Sequence, residues 1–459
     1  MKIENLKPLI SSSPNHTELR AQTNYKNNIV LTQGNVITNL RSSSSGVFAR
    51  VFQDGCFGAA SFPALTTEAA KKALAQAEEN AKTLSAFSRH KDHRLAEVPS
   101  GSYISDTVFV EHKQEYLLDF MTALDQRIAA RYPDLFSRTL RLNEEYTQVT
   151  LAVTQGYDSE RLLPRCHINV KFVVKDDCGY PVELAVNLGG GGLFDDHFTD
   201  PAAFDEELEN LYRMVMDKKD GVYAEAGEHE LILDSDLAGI LAHEAIGHTV
   251  ESDLLRGGSV AKNYRNQRVA SEKVSLVDFA NTAFGKTVPL PLYVDDEGTK
   301  AEDVVIIKDG ILLDYMSNRY DAPIIDVTPK GNGRAYCFED EPLVRMRNTC
   351  ILPGQDKLSD MIASIENGYY LIKSSNGQAD GTSEFMFGIA MGYEIKNGKL
   401  GRAIKDTTLS GVAFDMLRTV TMVGDSVKWA AGGLCGKKQP MQTAMGGPAV
   451  KCRARLGGR

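Results

Sequence analysis

His243, Glu244 and His248 put two imidazoles and a carboxylate within the run His243-Glu244-Ala245-Ile246-Gly247-His248. Imidazole nitrogens bind zinc, and a carboxylate held between two such ligands can take a proton from water, so these residue types point to metal-assisted hydrolysis. In the common zinc-peptidase pattern the two histidines stand four apart and share one helical face, with the Glu beside the first as general base. Here they stand five apart. At about 100° per residue, five steps on an ideal α-helix separate the side chains by roughly 140°, too far for both to grip one ion. The spacing therefore predicts a locally widened helix. Gly247, which weakens helix beside His248, makes a π-type bulge the expected form.

A catalytic zinc takes three protein ligands and leaves a fourth position for water. The motif supplies two. Glu251, three residues after His248, and Asp253 are local candidates for the third, with His229, Cys337, Cys435 and Cys452 farther along the chain. Position favours Glu251, which would serve equally by hydrogen-bonding a ligating imidazole. The plainer reading is that a histidine on a partly apolar helix is packed rather than ligating, and the chain has nine histidines. Other suggestive runs carry less chemistry. Gly189 to Gly192 lacks a phosphate-loop pattern and reads as a mobile turn. Asp295-Asp296-Glu297 reads as a strand end entering a turn rather than a hard-cation site. Ser11 to Ser13 and Ser42 to Ser45 read as solvated loop.

The elements around the motif follow from periodicity. Ser235-Asp236 suits the cap of the motif helix, after a short strand at Leu231 to Leu233. Upstream, Thr67 onward and Gln114 to the residue before Pro133 have helical spacing, and a third helix runs from the Asp200-Pro201 cap to near Gly221. Alternation at Val149 to Val153, Ile168 to Val174 and Val182 to Val186 predicts sheet. The polar opening, including Asn24 to Asn35, reads as loops and short strands. Downstream of the motif the chain is mostly strand, with hairpins across Asp309-Gly310 and Asn397-Gly398 and one helix at Asp356 to Asn367.

At 459 residues the chain exceeds what one core usually serves. The polar stretch Gly221 to Glu230 divides it into domains at 1–225 and 226–459. The expected fold is α+β: two domains of mixed and antiparallel sheets with helices, the second strand-rich, barrel- or sandwich-like, around the motif helix.

Composition narrows the function. Net charge is −10, and no block of Lys and Arg is dense enough to follow a phosphate backbone, the tail from Lys451 to Arg459 being short. No direct nucleic-acid contact is expected. No apolar run approaches the roughly 18 residues of a membrane helix, and the first residues lack a secretory pattern, so a cytoplasmic protein is expected. Seven cysteines without a Cys-x-x-Cys pair read as reduced thiols, any of them available to a metal.

Read with its neighbours, the motif followed by Glu251 and Asp253 resembles the TldD side of the TldD/PmbA family, named as modulators of gyrase and regarded as metallopeptidases. Further similar segments are Val294-Asp295-Asp296-Glu297-Gly298-Thr299, Gly310-Ile311-Leu312 through Tyr315-Met316, Thr328-Pro329-Lys330-Gly331-Asn332-Gly333-Arg334, Asn348 to Gly354, Met422-Val423-Gly424 and Cys435-Gly436-Lys437. They span about residues 230 to 440. The resemblance implies a zinc peptidase with His243, His248 and Cys435 on Zn²⁺, Glu244 as general base on the zinc-bound water, and Glu251 in support of a ligand. It further implies unfolded or extended peptide substrates and either a homodimer or a heterodimer with a PmbA/TldE-like subunit. The strands near Asp309 and Asn397 are a candidate wall for such a peptide. The reading from another class is a noncatalytic scaffold or regulatory subunit of a TldD/PmbA-type or gyrase-associated complex.

Overall fold

A computed structural model of the chain describes residues 1–379 and 381–457. Its first half is built on one large sheet. Strands Cys56–Phe62, Asn35–Gln53, His16–Thr32, Ser137–Val153 and Tyr157–Lys175 lie side by side in that order, all antiparallel. Pro181–Gly191 pairs antiparallel, and Gly101–Ile104 parallel, with Tyr157–Lys175. Helix Thr67–Phe87, whose cap Thr66 accepts from Ala69 N, buries its alanine stripe against Val47, Ala49 and Val51. Helices Gln114–Arg131 and Asp205–Lys219 share a second core with Ile168, Val170 and Phe172.

Two expectations fail here. The polar opening is not loops and short strands but two of the longest strands, His16–Thr32 and Asn35–Gln53. Their polar residues alternate with few apolar ones, so period-two patterning is absent; the two strands form a hairpin across Gln33-Gly34, and His16–Thr32 is held on its other side by the distant Ser137–Val153. Gly189 to Gly191 is likewise not a turn: it continues the strand Pro181–Gly191, paired with Arg165 to His167. Gly191 is required there because a Cβ would sit 1.7 Å from the carbonyl oxygen of Pro289.

The second half holds a mixed six-stranded sheet ordered Ile311–Leu312, Val304–Lys308, Leu276–Phe279, Asn348–Ile351, Met441–Gly447, Lys428–Cys435. Beside it, Asn367–Ala379, Gly227–Leu233, Val450–Leu456, Thr407–Val412 and Glu384–Lys396 form a ring that closes because the last strand also pairs with the first. The strand-rich expectation thus resolves into a closed five-stranded barrel, which has no free edge among its ring strands. Residues Lys451 to Leu456 of the basic tail are barrel strand, and Gly458 and Arg459 lie outside the described residues. The predicted helix at 356–367 is shorter, Leu358–Ala363.

The motif segment runs between these two bodies. Leu237, Ala238, Leu241, Ala245 and Ile246 pack with barrel residues Leu231, Leu233, Phe387 and Leu409 on one side and with Leu276, Val304 and Ile306 on the other. All nine side chains from Leu237 through Leu409 in that set are fully buried. A segment gripped on both faces is held in one rotation, which fixes where its polar residues point. No described helix is long and apolar enough to cross a membrane.

Candidate metal centre

The motif helix begins as α-helix at Ser235–Ile240, after Asp234 at the cap, and then widens into π-helix over Leu241–Gly247. The N–H of His248 donates to the carbonyl of His243, a five-residue bond in place of the four-residue bond of an α-helix. That bond stacks the two residues along one face, and their ring centroids stand 5.3 Å apart. The predicted irregularity is present where the spacing demands it. Gly247, however, answers to packing as much as to helix weakness: a Cβ on it would lie 2.0 Å from Met346 Sδ.

From far down the chain, Cys435 ends the edge strand Lys428–Cys435 and places its Sγ 3.2 Å from His248 Nε2. One ligand atom each from His243, His248 and Cys435 lie within 4.8 Å of one another. His243 is fully buried, and neither ring nitrogen has a hydrogen-bond partner. Leaving a buried polar group unmet costs about 1–3 kcal/mol, so a ring in this state calls for a partner that a metal would provide. Two imidazoles and a thiolate are a zinc donor set with a fourth position open, and the residues fit that ion. Burial pushes the Cys435 thiol up, but the imidazoles of His243 and His248 outweigh it and bring it down to about 4, the thiolate form in which cysteine binds metal.

The other candidates separate cleanly. Glu251 is fully buried at the end of the helix, in extended backbone, and its Oε2 accepts from His248 Nδ1 at 2.7 Å. This leaves Nε2 of His248 facing Cys435, the division of labour expected when a carboxylate orients a ligating imidazole. Glu244 puts Oε2 3.7 Å from His248 Nε2 and keeps partial exposure. His229 bonds the carbonyl of Glu225, Cys452 is buried in a barrel strand, and Cys337 lies near Arg20 in the first half. The Asp309-Gly310 turn packs on Ala270 and Ser271 and the Asn397-Gly398 turn on Ala363; Lys428–Cys435 reaches the cluster with Cys435, and Asn367–Ala379 passes Glu244, where a Cβ on Gly377 would lie 3.3 Å from Glu244 Cγ. Asp295 is buried in its turn and accepts the N–H groups of Glu297, Thr299 and Gly333, as a structural residue does.

Two residues that spacing did not single out hold the cysteine in place. Lys437 Nζ lies 3.1 Å from Glu251 Oε2 and donates to Asp253 Oδ1 at 2.9 Å and to the carbonyl of Val344 at 2.6 Å. Asp253 therefore faces Lys437 and lies outside the His243, His248 and Cys435 cluster. Fully buried Arg345 donates to the carbonyls of Cys435 (2.7 Å), Lys437 (2.8 Å) and Gln439 (2.8 Å), clamping the turn after the edge strand. The Cys-Gly-Lys run carried the signal for Lys437. Arg345 left none, since a guanidinium that recognises carbonyls needs no particular sequence neighbour.

Comparison with known proteins agrees with this arrangement. Residues 226–456 match the PmbA/TldA metallopeptidase C-terminal domain, and residues 17–81 match domain 1 of the same metallopeptidases. A metalloprotease TldD homolog of Buchnera aphidicola is 33% identical over 68% of this chain and 65% of its own length. A zinc metalloprotease TldD homolog of Saccharolobus solfataricus is 33% identical over 54% of this chain and 55% of its own. The chain thus spans somewhat less than two thirds of these curated relatives. The crystal structure of TldE from Thermococcus kodakarensis shares the fold, with a TM-score of 0.75 at 16% identity, over 98% of this chain and 99% of that one. Because one domain match covers half the chain and encloses His243, His248 and Cys435 together, the chain belongs to the PmbA/TldD metallopeptidase family.

Proposed function

We propose that this chain is a cytoplasmic zinc peptidase that cuts unfolded or extended peptides, with His243, His248 and Cys435 as ligands and Glu244 as general base. The observation that carries the reading is the fully buried His243 ring, both nitrogens unmet, facing a thiol drawn into its thiolate form. A zinc ion held there would acidify a water and polarise a scissile carbonyl. Glu244 takes the proton of the attacking water and returns it to the leaving amine, since its carboxylate sits beside His248 on the accessible side of the cluster. Glu251 keeps its hydrogen bond to His248 throughout, fixing the tautomer and ring plane.

Lys428–Cys435 ends the six-stranded sheet and leads straight to the ligands, so an extended peptide laid along it would reach Glu244 through main-chain hydrogen bonds with little sequence preference. The likeness to TldE supports pairing with a subunit of that kind, with a homodimer as the alternative. The division into domains at 1–225 and 226–459 belongs to the same reading, the first supplying a wall of the cleft.

Metal analysis beside hydrolysis of an unstructured fluorogenic peptide tests it. Glu244→Gln retains zinc and loses roughly 10²- to 10⁴-fold in turnover, the range for a removed general base. His243→Ala and Cys435→Ala lose zinc and turnover together. Full zinc content in Cys435→Ala overturns the ligand set, full turnover in Glu244→Gln overturns Glu244 as general base, and no turnover by the zinc-loaded wild-type chain favours a noncatalytic subunit.

A further inference from the structure

A second cavity lies between the two halves, on the far face of the six-stranded sheet from the metal centre. Cys435 pairs across with Met441 and Leu434 with Gln442, and successive residues of a strand face opposite sides. Gln442 accordingly turns away from the cluster and bonds Glu145 on the first sheet. The cavity measures about 390 Å³ and is lined by Gln442, Arg334 and Arg161 together with an apolar wall, Val288 to Leu292, that faces Leu162 to Pro164. Volume, position between the two halves and an apolar wall facing charged and polar side chains suit a small amphipathic molecule.

Of the buried cations beside the cavity, Arg161 and Arg20 have a carboxylate partner and Arg334 has none among the described residues. The Asp296 carboxylate hydrogen-bonds Arg161 and lies 4.0 Å from Arg20. Arg334, also buried, has no carboxylate within ion-pair distance among the described residues; its Nη1 donates to the carbonyls of Met346 (2.6 Å) and Gln442 (3.0 Å). Arg161 and Arg20 therefore share the Asp296 carboxylate, while Arg334 is met by carbonyls alone among the described residues. Burial and the neighbouring Arg345 guanidinium depress the Arg334 pKa to about 10, the direction in which a bound anion would be welcomed. Asp106 and Asp196 also line the cavity, the latter accepting the N–H of Leu193 at 2.7 Å. Their charges disfavour a multiply charged ligand and are compatible with a single anionic group on Arg334.

We propose that this cavity binds a small amphipathic monocarboxylate, its carboxylate on Arg334 and its apolar body between Leu163 and the Pro289 to Leu292 wall. Such a site is separate from the peptidase centre and independent of the zinc reading.

Calorimetric titration of the full chain with 4-phenylbutyrate, its primary amide and inorganic phosphate tests the proposal. The acid is expected to bind at least ten-fold more tightly than the amide or phosphate. Leu163→Trp, which fills the cavity without touching Arg334 or any candidate metal ligand, abolishes binding while zinc content and the thermal transition stay unchanged. Arg334→Gln lowers affinity for the acid at least ten-fold. Should that variant fail to fold, Leu163→Trp decides alone. Equal binding of acid and amide, tighter binding of phosphate, undiminished binding to Leu163→Trp, or no binding of the acid at all overturns the proposal.

Discussion

The amide of His248 donates to the carbonyl of His243, so the two imidazoles are tied by the very bond that widens the helix between them. Five-residue spacing and π-helical bonding are one fact seen twice: the wider turn is what allows the ligand pair to share a face.

The widened turn rests on the missing side chain of Gly247. Gly247→Ala drives a methyl into Met346 Sδ, and destabilisation by about 1–3 kcal/mol is expected, as for other overpacked cores. Urea unfolding of the single variants and of Gly247→Ala with Met346→Ala checks the cause. The double variant should lose less than the sum of its parts, because the truncated neighbour removes the clash; simple additivity would place the strain elsewhere.

Support behind His248 is expected to set metal affinity. Glu251→Gln removes the charged acceptor of the imidazole, and Lys437→Met removes the cation that faces Glu251 and Asp253. Each is expected to weaken zinc binding roughly 10- to 100-fold in chelator competition, the usual effect of losing a residue that orients a ligand. Wild-type affinity in both would mean that the sheet alone fixes the ring.

Arg345 acts on the cysteine through backbone only. Arg345→Lys keeps a charge but not the fork that spans the carbonyls of Cys435, Lys437 and Gln439. Zinc affinity should fall and the thermal transition should drop by several degrees, while Arg347→Lys, whose bonds go to Asp278, Lys330 and Glu302, should lower stability without selective loss of zinc.

Metal-free protein should reveal the thiolate. With Cys435 brought to about 4 from an ordinary value of 9.0, thiolate absorbance near neutral pH persists on acidification and is lost only as pH falls through about 4. The same titration of Cys435→Ser lacks that step. A step near 9 would show that the imidazoles do not hold the anion.

Acid stability depends on a buried pair in the first sheet. Glu18, paired across strands with Arg50, has burial pushing its carboxyl up, but Arg50 and His16 overcome this and hold it at about 2 against an ordinary 4.5. A depressed carboxylate stabilises the fold fully above about pH 4.5, and that contribution disappears as pH falls toward 2. Glu18→Gln should therefore cost about 3 kcal/mol or more at pH 7, because Arg50 loses a buried partner, and should flatten the stability profile between pH 4.5 and 2. Chemical denaturation at pH 7, 4 and 3 measures both effects.

Much of this architecture is legible in the chain itself. Thr67–Phe87 and Gln114–Arg131 follow from apolar spacing and from Thr66 and Pro133 at their ends, because helix formation is local and its period is written in adjacent residues. The π-helix follows from a count of five between His243 and His248 combined with the geometry of one shared ion. What the chain could not state alone was pairing across distance. The long strands His16–Thr32 and Asn35–Gln53 have no apolar alternation to announce them, and the first of them also pairs with the remote Ser137–Val153. Spacing left Glu251, Asp253 and four distant residues as claimants beside the histidines, with position favouring Glu251; only the folded sheet brings Cys435 to the motif and Lys437 to Glu251. Types and spacing fix what a segment can do, because local geometry depends on neighbours in sequence, whereas which far residue completes a site depends on sheet register, a property of strands that meet only once the chain has folded.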